Sequence, residues 1–115
     1  MGMRRVIAQA AHQVPSRAPL QVRPGDQVQA GERSDEWPEF VFVTADRGSG
    51  WVPARYLSAG SGPAVVQAPY DTTELATEAG EELTVLEEDL QSGWLWCRSG
   101  DGRQGWVPVS TIRPQ

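Results

Sequence analysis

The tetrapeptide Gly-Trp-Val-Pro is written twice in this chain, at 50–53 and at 105–108. The spacing is close to half of the 115 residues, so the chain reads as two small copies of one unit. Other residues follow the same 55-residue offset: Leu20 falls on Leu75, Gly25 on Gly80, Asp26 on Glu81, Val28 on Leu83 and Leu57 on Ile112. Trp37 meets Trp94 with a two-residue slip, which one loop absorbs. Upstream the offset is 58, laying "IAQAAHQ" (7–13) over "VVQAPYD" (65–71). A tandem duplication accounts for so many matches in order. Each copy lies near the lower size limit for a self-sufficient core.

Within each copy the pattern is that of strands. "EELTVLEED" alternates apolar and polar residues from Leu83, as a half-buried strand does. "EFVFVTA" and "GWLWCRS" are aromatic-rich and run into turn residues, Asp46 to Gly50 and Ser99 to Gly102. The Gly-Trp-Val strand that follows is stopped by Pro53 or Pro108, which has no N–H to give a ladder. Four residues later Leu57 or Ile112 returns to the core, and one tight helical turn spans that distance. The fold class expected is all-β, with little helix beyond those single turns.

Charge is uneven. The first copy carries seven arginines and six acids, net +1; the second carries three arginines and nine acids, net −6. Nucleic acid is a poor partner for such a surface, and a cationic one suits it better. Cys97 and His12 each stand alone in the sequence, so neither a disulfide framework, a metal site nor a cofactor is expected. His12 has no partner at catalytic spacing, and enzymatic activity is not expected. Apolar runs are too short to span a membrane, and the stretch after Arg4-Arg5 is too short and polar for a leader, so a soluble, cytoplasmic protein is expected. The six residues "SAGSGP" joining the copies reach only about 13 Å as a coil, which keeps the copies neighbours.

These residues resemble the Src-homology-3 (SH3) family. The second copy offers "APYDT" (68–72), "GEELTVL" (80–86), "WLW" (94–96) and "GWVPVSTI" (105–112). The first offers "AAHQV" (10–14), "GDQVQA" (25–30), Trp37 and "GWVPARYL" (50–57). The resemblance implies two tandem five-stranded SH3-like barrels, 4–58 and 64–113, joined by a linker at 59–63. It also implies aromatic grooves for proline-rich peptides in the polyproline II form, whose pre-extended backbone loses little entropy on binding. Carried over by motif, the second groove comprises Tyr70, Trp94, Trp106, Pro108 and Thr111, with Asp71, Glu74 and Glu78 for a flanking cation. The first comprises Trp37, Trp51, Pro53 and Tyr56, with His12 and Val14 where the family carries tyrosines. Thr72 and Thr111 replace tyrosines in the second.

Two functions follow from the resemblance. The first is an adaptor binding proline-rich or cationic segments of a partner protein, best through the second copy. The other is a structural or regulatory unit whose barrels pack on each other or on a folded partner, or bind cell-wall material. Trp94 is expected as an exposed platform whose removal leaves stability nearly unchanged. A contact between the barrels is also expected, through the Arg- and Pro-bearing loop of Pro15, Arg17, Pro19, Arg23 and Pro24 facing the acidic second copy.

Overall fold

The computed structural model describes residues 4–14 and 18–114, except for the side chain of Pro114. Eleven strands and two single turns of 3-10 helix make up the regular structure among the described residues. The chain divides into two compact units: Met1–Ser16 with Thr73–Gln115, and Arg17–Thr72.

In the first of these units β8 (Glu82–Asp89), β9 (Trp94–Ser99) and β10 (Gln104–Pro108) form an antiparallel meander. The free side of β8 is taken by β1 (Arg4–Ala8), with Val6 opposite Leu83 and Arg4 opposite Val85. β11 (Ile112–Pro114) closes on β1, with Ala8 opposite Ile112. The alternating residues point one way into a core of Val6, Ala8, Leu75, Leu83, Val85, Leu95, Cys97 and Val107, against which Ile112 packs. Leu95 and Cys97 face this core, so Trp94 and Trp96 share the other face of β9.

The second unit repeats the meander with β3 (Gln27–Arg33), β4 (Phe40–Ala45) and β5 (Gly48–Pro53). Here β6 (Gly62–Val65) takes the free side of β3, placing Ala64 opposite Val28 and Gly62 opposite Ala30. The short strands β2 (Gln21–Val22) and β7 (Tyr70–Asp71) pair with each other. Val28, Ala30, Val41, Val43, Val52, Leu57, Ala64 and Val66 are buried.

The expected boundaries 4–58 and 64–113 therefore do not describe these units. The leading strand of the first copy lies with the body of the second, and the leading strand of the second lies with the body of the first. The segment expected as a linker, 59–63, runs into β6. Its length explains why. Leu57 bridges to Val66, and the Ser58 N–H donates to the Val65 carbonyl at 2.9 Å, so the chain turns straight back on itself after Leu57. Gly62 sits at φ +71° in that return, a region other residues rarely adopt. A chain that has just laid down its last strand reaches its own sheet more readily than a distant one.

The single helical turns fall where Pro53 and Pro108 place them, at Ala54–Tyr56 and Val109–Thr111. Of the loop expected to bind the acidic copy, Pro15 and Arg17 lie outside the described residues. Pro19, Arg23 and Pro24 are exposed. Among the described residues no helix is long and apolar enough to cross a membrane.

Candidate functional site

The repeated tetrapeptide anchors a site in each unit, beginning with its glycine. A Cβ on Gly105 would fall 2.6 Å from the Glu74 carbonyl carbon and 2.7 Å from the Leu75 nitrogen. Only glycine lets the Thr73–Leu75 backbone lie on β10, where the Trp106 N–H donates to the Thr73 carbonyl and the Leu75 N–H to the Trp106 carbonyl. In the other unit a Cβ on Gly50 would meet the Thr72 side chain at 3.1–3.3 Å. The Thr72 hydroxyl there accepts from the Leu20 N–H at 2.7 Å.

In the Arg17–Thr72 unit the site is aromatic. Pro53 is fully buried opposite Phe40 and ends β5, and the helical turn that follows carries Tyr56. Tyr56 meets Tyr70 of β7 edge to face, ring centroids 5.5 Å apart. Tyr70 is buried, whereas Tyr56 is half-exposed and holds the Arg55 guanidinium 4.8 Å above its ring. Arg55 also reaches Glu39 at 3.5 Å. Asp71, beside Tyr70, accepts from the Gln21 side chain at 3.0 Å. Trp37 is half-buried in the loop before β4, where its N–H bonds the Ser34 hydroxyl and its indole N–H donates to Glu36. Trp51 instead pairs across the strands with Phe42, centroids 5.1 Å apart.

In the other unit the matching place is taken by a histidine. His12 Nε2 lies 2.9 Å from a Glu74 carboxylate oxygen, and its ring meets Trp94 edge to face at 5.6 Å. Trp94 lies opposite Pro108, and the Thr111 hydroxyl donates to the Pro108 carbonyl at 2.8 Å. Trp106 pairs with Trp96 at 5.2 Å. Trp94 and Trp106 are only 9% and 7% exposed. Val14, Leu90 and Val109 are exposed apolar residues of this unit, and the segments carrying the last two meet where the Val109 N–H donates to the Gly93 carbonyl. Glu78 is exposed at a turn closed by Glu81. On the core side of β9, burial pushes the Cys97 thiol up to about 11, against a smaller lowering by the Arg4 charge.

Three expectations change. Tyr70, expected in one groove with Trp94, Trp106 and Pro108, belongs to the other unit and stands beside Tyr56. Trp94, expected as an open platform, is nearly covered, with His12 meeting its ring edge to face and Pro108 opposite it on β10. His12, expected at a tyrosine position of the first copy's groove, stands instead beside Trp94. Its match to Tyr70 at the 58-residue offset is the signal that marks it.

Comparison with known proteins finds matches over part of the chain. Residues 65–112 match the family model for the bacterial dipeptidyl-peptidase SH3 domain. Sorting nexin lst-4 of Caenorhabditis elegans is 40% identical over 57 residues, covering 44% of this chain and 10% of that protein. The SH3 domain-containing protein Dlish of Drosophila melanogaster is 41% identical over 44 residues, covering 38% of this chain and 12% of that protein. The chain spans about a tenth of the length of these relatives.

Proposed function

We propose that the chain is a non-enzymatic adaptor of two SH3-like barrels, and that its peptide site is the tyrosine pair of the Arg17–Thr72 unit. The edge-to-face contact of Tyr56 with Tyr70 carries this reading. The half-exposed Tyr56 ring, held at a fixed angle by buried Tyr70 beside Pro53, offers an apolar face of the kind that suits the flat faces of a polyproline II segment. Half-exposed Trp37 would form the far wall. Asp71, Glu36 and Glu39 supply carboxylates for an arginine flanking the prolines. Tyr70 is as buried as Trp94 and Trp106 of the other unit, so the half-exposed rings of Tyr56 and Trp37 are the ones that would meet a ligand. The ligand class is therefore a proline-rich, cationic segment of a partner protein.

Titration of the isotopically labelled chain with a proline-rich, arginine-containing peptide tests this. Amide and indole shifts should centre on Tyr56, Tyr70 and Trp37, and Tyr56→Ala should weaken binding at least tenfold, as loss of an aromatic anchor does. Shifts confined to the Trp94 region, or none in either unit, would refute it.

A further inference from the structure

Because β3 and β8 match residue for residue, each leading-strand side chain has a definable neighbour in either of two arrangements. Arg33 and Glu88 occupy the same place in their sheets: each follows a bulge, Arg33 opposite Val41 and Glu88 opposite Leu95. Arg4, opposite Val85, ion-pairs with Glu88. Had the first copy kept its own leading strand, Arg4 would stand opposite Ala30 and confront Arg33. Arg5 reaches Glu82 at 3.3 Å, and the residue matching Glu82 on β3 is Gln27, which carries no charge.

The site residues repeat the pattern. His12 bonds Glu74, whose match in the first copy is Pro19. Tyr70 meets Tyr56 edge to face, and the match of Tyr56 in the second copy is Thr111. Gly62 and Pro63, which stand where Arg4 and Arg5 would, bring no charge to β3. Overall charge is evened as well. The contiguous copies carry +1 and −6. The folded units carry five arginines against eight acids and five against seven, net −3 and −2.

We infer that the strand exchange is specified by these side chains, with Arg4 and Arg5 as positioning residues. They direct the first leading strand onto β8, and so leave β3 to the strand that brings Tyr70 to Tyr56. The unfavourable Arg4–Arg33 encounter disfavours the direct arrangement, since like charges on neighbouring strands repel. This rests on the strand register alone and not on the peptide reading, and the test below needs no ligand.

Two cysteine pairs separate the arrangements while sparing both arginines. In a Cys97→Ala background, Ile7→Cys with Arg113→Cys joins residues opposite each other in the exchanged fold. Ile7→Cys with Ser58→Cys joins those that would be opposite in the direct one. Opposed Cα atoms in an antiparallel ladder are about 4.5–5.5 Å apart, within disulfide reach. Mild oxidation should give an intrachain disulfide in the first variant and free thiols in the second. A 7–58 disulfide, or an interchain one, would overturn the exchange. For the selecting pair, Arg4→Glu should speed amide exchange in β8 roughly two- to tenfold, the scale of a cross-strand charge pair. Adding Glu88→Arg should restore it. No rescue by the reversed pair would overturn the role given to Arg4.

Discussion

Val6 has no exposed surface and packs among Leu83, Leu95, Cys97 and Val107, all residues at least 77 positions away in sequence. Val6→Ala removes two buried methyl groups. At about 0.8 kcal/mol for each buried carbon, the transfer cost is about 1.6 kcal/mol. The space left cannot close fully between β1 and β8, so the total should be about 2–3 kcal/mol. The effect should also be local. Residue-resolved hydrogen exchange should show lost protection across β8, β9 and β10 and near-unchanged protection in β3, β4 and β5. Val66→Ala is the mirror experiment, because Val66 is 1% exposed and bridges Leu57 in the other unit. It should loosen β3 to β5 and spare β8 to β10. Contiguous copies would give the opposite assignment for both variants, and that outcome would refute the fold described here.

Three further outcomes are expected. Gly105→Ala should cost about 1–3 kcal/mol in urea denaturation, because its Cβ would strike backbone rather than a side chain that can swing away. Gly50→Ala, facing only the Thr72 side chain, should cost less. Trp94→Ala should destabilise by about 3–5 kcal/mol, since the ring is nearly covered; an unchanged melting temperature would return Trp94 to the surface. The Cys97 thiol, raised from 9.0 to about 11, favours the protonated native state. Its contribution to stability is present below pH 9 and lost as pH rises through 11. At pH 8 it should resist a thiol reagent in the native protein and react fully in denaturant.

Local elements were legible in the sequence because their causes are local. Alternation from Leu83 gives β8, the glycine-rich turns give the meanders, and Pro53 and Pro108 end their strands at helical turns. The SH3 resemblance of the second copy came from the same short-range signals, and residues 65–112 do match an SH3 family model. The destination of the leading strands was not legible that way. "IAQAAHQ" and "VVQAPYD" present the same apolar face, so burial alone suits either strand to either sheet. What separates them is a few long-range contacts, Arg4 with Glu88 and Tyr70 with Tyr56, and a return after Leu57 too short to favour a distant sheet. The composition of each site then follows from the exchange, which carries Tyr70 to Tyr56 and His12 to Trp94.

The strand exchange is tested most directly by backbone nuclear Overhauser effects in the unmodified, isotopically labelled chain. Cross-strand contacts should connect Val6 with Leu83 and Ala64 with Val28, the observed antiparallel partners. Contacts connecting Val6 with Val28 and Ala64 with Leu83 would contradict it.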